Sequence, residues 1–152
     1  MKLVIGSDHA GVQLKDGIIK LVQSLGHEVT DVGCHSTDSV DYSDYAIEVC
    51  NKVAAGTADR GILLCGTGIG MTIAANKIAG IRCALVHDLF SAQMTRQHND
   101  SNVLAMGERI VGPGLAESIV KVWLETEFSN GERHVNRIQK VMELEDKVTP
   151  QS

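Results

Sequence analysis

The sequence predicts an α/β protein with three layers, α/β/α, around a five-stranded parallel sheet. Two observations carry this. Five short apolar runs alternate with segments whose apolar residues recur at helical spacing. The runs are also near-continuously apolar rather than alternating, as strands covered on both faces are.

Each element has its own signal. Lys2-Leu3-Val4-Ile5-Gly6 reads as a buried strand. Leu14, Ile18, Leu21, Val22 and Leu25 mark a helix that Gly26 stops. Glu28 to Val32 reads as the second strand, and the polar stretch from Gly33 to Asp44 as the longest loop. Ala46, Val49, Cys50 and Val53 mark a helix ended by Gly56. Gly61 to Leu64 is the third strand, followed by a helix from about Met71 to Lys77. Arg82 to Val86 is the fourth strand, Ser91 to His98 a helix, and Val103 to Met106 the fifth strand. Pro113 opens a helix carrying Leu115, Ile119, Val122 and Trp123. A last helix is expected from about Arg133 to Asp146, and the tail Thr149 to Ser152 is expected to fray. No repeat or linker interrupts this order, so a single domain over residues 1–152 is expected, Rossmann-like in its alternation.

Composition excludes several classes. At 152 residues, 43% hydrophobic and 22% charged, the chain suits a globular domain with a proper core. A net charge of −5 without like-charge blocks argues against nucleic-acid or acidic-membrane binding. Aromatics are 3%, which leaves no stacking platform for single strands. No apolar stretch is long enough for a bilayer, and no signal-peptide layout precedes the first strand, so a cytoplasmic location is expected. The cysteines at 34, 50, 65 and 83 form no zinc-like spacing and no disulfide framework. Cys50 and Cys83 read as small buried hydrophobes, and Cys34 has no assigned role.

Parallel sheets bind ligands at the carboxyl ends of their strands. That rule gathers Asp8-His9, Cys65 to Gly70, His87-Asp88 and Glu108-Arg109. The turn Cys65-Gly66-Thr67-Gly68-Ile69-Gly70 is the most informative segment. It delivers a thiol to converging backbone N–H groups at a helix start. Met71 stands where a dinucleotide fingerprint needs its third glycine and where a cysteine phosphatase needs its arginine, and no Gly-Lys-[Ser/Thr] follows. On the turn alone, a tight strand–helix junction with a buried thiol and a catalytic site both remain open. Asp8 could meet a hydroxyl or cap a helix, and His9 could meet an anion. Arg133 and Arg137 share a helix face, which suits a phosphate or a solvated basic surface. Arg109 has the same two readings. His98 could handle protons near neutrality or cap its helix. Tyr42 could line a pocket or staple the long loop.

Taken together, the segments resemble the type B ribose-5-phosphate isomerase family, which includes galactose-6-phosphate and allose-6-phosphate isomerases. The resemblance runs through Gly6 to Gly11, Val40-Asp41-Tyr42, Gly61 to Gly70 and Ile73 to Lys77. It continues through Ser91-Ala92-Gln93, Arg96 to Asp100, Asn102 to Ala105, Gly107-Glu108-Arg109, and Arg133-His134 with Arg137. It implies interconversion of ribose 5-phosphate and ribulose 5-phosphate without metal or organic cofactor. Cys65 is then the base, with Thr67 adding a hydroxyl and Gly66, Gly68, Ile69 and Gly70 holding the enediolate oxygens. His98 is then the group that assists ring opening, and Asp8, Tyr42 and Asn99 lie at the sugar. His9, Arg109, Arg133, His134 and Arg137 hold the phosphate. The family also implies a homodimer or a dimer of dimers with active sites shared between subunits.

One branch of the family replaces the cysteine by a glutamate just after the turn; here Met71-Thr72 stands there. Ser43 departs from the proline that often follows the tyrosine. The Arg-His…Arg cluster favours a pentose phosphate over galactose 6-phosphate. Allose 6-phosphate is the nearer alternative. A flavodoxin-like nucleotide-binding module is the alternative of another class.

Overall fold

The structure is a computed structural model that describes residues 1–147; the tail expected to fray lies outside the described residues. Its elements are β1 (Lys2–Ser7), α1 (Val12–Ser24), β2 (Glu28–Asp31), α2 (Tyr42–Ala54), β3 (Arg60–Cys65) and α3 (Ile69–Ala75). They continue with β4 (Cys83–Leu85), α4 (Leu89–Asn99), β5 (Val103–Gly107), α5 (Pro113–Glu125), α6 (Glu132–Met142) and α7 (Leu144–Lys147). The strands form one sheet in the order β2-β1-β3-β5-β4, with every neighbouring pair parallel.

The period-2 alternation of strand side chains builds two cores, one on each face. Leu3, Ile5, Ile62, Leu64, Leu104 and Met106 meet α1, α4 and α5 through Leu14, Ile18, Ala92, Ile119 and Trp123. Val4, Leu63, Cys65, Val103 and Ala105 meet α2 and α3 through Val49, Cys50, Met71 and Ala75. Burying each large aliphatic side chain contributes about 1.5–3 kcal/mol. Two glycines let α2 lie close to the sheet. A Cβ on Gly6 would stand 2.9 Å from Val49 Cγ2, and one on Gly61 would stand 2.7 Å from Val49 Cγ1.

The chain leaves β1 over one face for β2 and returns over the other face to β3. The order therefore reverses between β1 and β3. A crevice opens at such a switch point, outside the carboxyl ends of the strands. Asp8 follows β1 there and Cys65 ends β3 there.

Double coverage holds for β1, β3 and β5 and fails at the edges. Glu28, Thr30 and Asp31 of β2 are exposed, and β4 is only three residues long. Polar, short edge strands are poor templates for further pairing. Helix α2 starts at Tyr42, so the long loop is shorter than expected. Helix α4 starts at Leu89 because Asp88 accepts a 2.7 Å bond from the Ser91 N–H. The expected last helix is two helices that part at Glu143. There ψ relaxes to −17°, and Glu145 turns to accept a 2.9 Å bond from the Gly80 N–H. Among the described residues no helix is long and apolar enough to cross a membrane.

Candidate active site

Strand β3 is buried along its whole length and ends on Cys65, which is 5% exposed. The Gly68 N–H donates to Cys65 Sγ at 2.9 Å, fixing the sulfur over the turn. Gly68 has φ +77°, a conformation glycine adopts without penalty. A Cβ there would also lie 2.5 Å from Leu85 Cδ1 and 2.9 Å from the Met106 carbonyl carbon. Thr67 is exposed, and its Oγ1 accepts a 3.3 Å bond from the Ile69 N–H. Helix α3 then starts at Ile69, and Thr72 Oγ1 donates back to Gly68 O at 2.8 Å. The segment after β5 closes the turn from the other side. The Glu108 N–H donates to Cys65 O at 2.8 Å and the Arg109 N–H to Gly66 O at 3.1 Å.

Four other expected residues stand around this turn. Asp8 is 7% exposed; its backbone N–H reaches Leu64 O, and Oδ1 accepts from the Ala10 N–H at 2.9 Å. Asp8 does not cap α1. Glu108 takes that place from across the sheet, accepting a 3.0 Å bond from the Leu14 N–H. His9 Nδ1 accepts from the Val40 N–H at 3.2 Å, which ties the long loop to the site. With Nδ1 an acceptor, the neutral ring carries its proton on Nε2. The Tyr42 ring covers Gly70 so closely that a Cβ there would meet Tyr42 Cζ at 2.7 Å. The Arg109 guanidinium lies on Gly66, about where a Cβ would meet it at 3.4 Å.

The remaining expected residues lie elsewhere. Helix α4 leaves the carboxyl end of β4 and runs back to the start of β5, so His98 and Asn99 sit at the amino end of the sheet. Its eleven residues span about 16 Å. Arg82, just ahead of β4, donates to Asn99 O at 3.0 Å and so marks the same end. Helix α6 packs beside it. The His98 and His134 rings stack at 4.4 Å with planes 8° apart, and Arg133 Nε donates to His134 Nε2 at 3.4 Å. Burial, the neighbouring His98 and the guanidiniums of Arg133 and Arg137 lower the His134 pKa. A protonated His134 is thus disfavoured beside these cations. Arg133 and Arg137 are exposed. His98, Asn99, His134 and Arg137 line an open groove of about 1010 Å³, with Ile138, Val141 and Met142 as its apolar wall. Within one chain, this group is separated from Cys65 by the depth of the sheet.

Three residues near the first cluster had no role in the sequence reading. Lys15 is wholly buried; its Nζ donates to both carboxylate oxygens of Asp31, at 2.7 and 2.9 Å, and to Cys34 O at 2.8 Å. Its place beside Leu14 and three before Ile18, on the apolar side of α1, was the available signal. Glu108 is the second. The third is His87, whose Nε2 accepts from the Gly107 N–H at 3.1 Å. Burial pushes the Cys50 and Cys83 thiols up to about 12. Cys50 is buried as expected, whereas Cys83, on the short edge strand β4, is only half-buried. Among the described residues no three His, Cys, Asp or Glu side chains gather as a metal site.

Comparison with known proteins places the chain in a family. Residues 3–141 match the profile of the family described as Ribose/Galactose Isomerase. Ribose-5-phosphate isomerase B of Escherichia coli is 46% identical over 146 residues, covering 96% of this chain and 97% of that one. D-erythrulose-4-phosphate isomerase of Pectobacterium atrosepticum is 44% identical, covering 86% of this chain and 87% of that one. The solved structure of Clostridium thermocellum ribose-5-phosphate isomerase B superposes with a TM-score of 0.95 at 50% identity, over 97% of this chain and 99% of that one. A parallel sheet that brings a thiol to a glycine turn, and likeness that spans nearly the whole chain, lead to one assignment: the chain belongs to the Ribose/Galactose Isomerase family, in its type B ribose-5-phosphate isomerase group, and is a sugar-phosphate aldose–ketose isomerase.

Proposed function

We propose that the chain is a cofactor-free ribose-5-phosphate isomerase, a single cytoplasmic domain in which Cys65 is the base. The observation that supports it most is the position of the Cys65 sulfur. It sits at the switch point, fixed by the Gly68 N–H, while α3 offers only Met71 and Thr72 where a carboxylate base would stand. The Cys65 thiolate takes the proton from C2 of the open-chain aldose. The C–H pair becomes the C1=C2 bond of an enediolate, and the carbonyl pair moves to O1. The proton returns to C1 while the hydroxyl proton of O2 passes to O1, leaving C2 as the ketone. In this reading the backbone N–H groups of Gly66 and Gly70 and the Thr67 hydroxyl meet the charge developing on the enediolate oxygens. Those of Gly68 and Ile69, donated here to Cys65 Sγ and Thr67 Oγ1, join them by exchanging those acceptors for substrate.

Ring opening and phosphate binding then fall to a second copy of the chain. Ile69, Ile73, Leu85, Leu89, Phe90 and Ile110 are exposed near the glycine turn, Phe90 by 71%. An apolar rim of this kind suits an interface. A partner's α4 and α6 would bring His98 and Asn99 to the sugar and Arg133, His134 and Arg137 to the phosphate. There they meet His9, Asp8, Tyr42 and Arg109 of the first copy, giving a homodimer or a dimer of dimers.

Purified protein should interconvert the two pentose phosphates and exchange C2–H with deuterated solvent, and Cys65→Ala should do neither. Full activity in Cys65→Ala would remove the base. Mixing Cys65→Ala with His98→Ala subunits tests the shared site. Random pairing puts half of the dimers in mixed form with one intact site of two, restoring about a quarter of the sites. No recovery on mixing places both residues in one subunit's site. The relative named for a four-carbon ketose phosphate supports a second reading. Comparing kcat/KM for ribose 5-phosphate, erythrulose 4-phosphate, allose 6-phosphate and galactose 6-phosphate separates it and the hexose alternatives.

A further inference from the structure

The glycine turn rests on Gly107 with no side chain between them. A Cβ on Gly107 would stand 2.6 Å from Thr67 Cα and 2.8 Å from Gly66 O. A Cβ on Gly68 would stand 3.2 Å from the Gly107 nitrogen. Any shift of Gly107 therefore moves the turn that carries the Cys65 sulfur. Gly107 pairs with Cys65 in the β3–β5 ladder, and its carbonyl accepts from the Ile110 and Val111 N–H groups, each at 3.0 Å. What holds its own N–H on the β4 side, however, is unusual for a strand end. The β4–β5 ladder stops at the Leu85–Ala105 pair, with one last bond from the Val86 N–H to Ala105 O. Beyond it the backbones part, and the next acceptor is a side chain: His87 Nε2 takes the Gly107 N–H at 3.1 Å.

A backbone N–H only donates, so Nε2 must be unprotonated and the ring neutral, with its proton on Nδ1. An imidazolium has no acceptor. We propose that His87 is a positioning residue of the isomerase site, its neutral ring clamping Gly107 beneath the Gly66–Gly68 turn and releasing it when protonated. This rests on the isomerase reading above for its kinetic consequence, and on geometry alone for the clamp.

The charges around the ring are few. Asp88 is on its own segment and pulls toward protonation, while burial opposes it and prevails, lowering the ring below the ordinary histidine value. Glu108 is turned to the Leu14 N–H, Arg109 lies on Gly66, and the Cys65 sulfur is engaged by the Gly68 N–H.

The experiment compares wild type, His87→Gln and His87→Leu. Glutamine can place an oxygen near the Nε2 position and accept from the same N–H, but does not titrate; leucine fills the space with no acceptor. In wild type, the amide resonances of Gly107, Thr67 and Gly68 should move together with the His87 ring on acidification below about pH 6.5. In His87→Gln they should stay flat over that range. His87→Gln should keep kcat within about fivefold, while His87→Leu should lose about 10- to 100-fold in kcat with KM within about threefold. Amides indifferent to the His87 titration, or a folded His87→Leu protein with wild-type kcat, would overturn the clamp. A folded His87→Gln protein as impaired as His87→Leu would overturn the acceptor role. Should leucine prevent folding, the amide titration and the glutamine variant decide alone. The amide titration needs no substrate, so it stands or falls separately from the isomerase reading.

Discussion

The two ends of the sheet hold their functional groups in different ways. At the carboxyl end, Cys65 and Asp8 are nearly buried, and the turn between them is locked by backbone bonds to Cys65 Sγ, Cys65 O and Gly66 O. At the amino end, Asn99, Arg133 and Arg137 are exposed on helix surfaces, and His134 is fixed mainly by stacking on His98. Chemistry at carbon needs atoms placed to a fraction of an ångström, which rigid backbone supplies. Gripping a phosphate tolerates long, mobile guanidiniums because several donors share the charge. On the proposed function, proton transfer at carbon belongs to the carboxyl end, while His98 and the Arg133/Arg137 part of the phosphate grip belong to the amino end, so each contribution is separable by mutation.

The largest effect should come from Cys65→Ala: kcat falls about 10³-fold or more with KM little changed, measured by coupled assay and by C2–H exchange. A loss confined to KM would move Cys65 into the capture group. Gly68→Ala should come next, because it combines a positive φ with a Cβ 2.5 Å from Leu85 Cδ1. A cost of about 2–4 kcal/mol is expected from chemical denaturation. Gly80→Ala is its control, with φ +81° but open space around the Cβ, and should cost about 1 kcal/mol. If the two variants cost the same, the close packing of the turn carries no weight. Arg137→Ala should raise KM for the phosphorylated sugar about 10- to 100-fold, with kcat and melting temperature nearly unchanged. A fall in kcat at constant KM would erase the division between the ends.

The smallest effect is a pH dependence of stability. His87 and His134 both have folded pKa values lowered by burial. Between the unfolded value near 6.5 and the lower folded value, the unfolded chain binds more protons, so stability falls as pH falls through that window. Below the folded values the slope vanishes. Melting temperature between about pH 7 and 5 measures it, and His87→Gln should flatten the slope. A melting temperature that rises on acidification would reverse the assignment of neutral rings.

Much of this was legible in the sequence, and the exceptions have identifiable causes. The alternation of apolar runs and helical periods gave all five strands, because strands buried on both faces have a pattern little else imitates. The turn after Cys65 was legible because a positive φ and close packing demand glycine at 68 and close packing demands it at 70. Which residues lie far from Cys65 within one chain was left open, although a signal for His98 existed. In a parallel sheet every connecting helix runs against the strands, so a residue at a helix end belongs to the opposite edge. Lys15 was passed over because a charge on an apolar stripe looks like an interruption until Asp31 is seen to meet it. His87 was grouped correctly at the carboxyl end but had no visible partner, since Gly107 offers only its backbone. The neighbour order of β4 and β5 is carried by no local pattern at all.

That order has a consequence for synthesis. Strand β1 neighbours both β2 and β3, and these three can pair as soon as residue 65 has emerged, but β4 pairs only with β5. Until residue 107 is made, a growing chain carries β4 with no strand to bond. The Cys65 turn likewise waits for its floor at Gly107 and for the amides of Glu108 and Arg109. Cys65 and its turn are therefore translated early and assembled late, so a nascent chain stopped before its hundredth residue carries the thiol without the packing and backbone bonds that fix it in the folded chain.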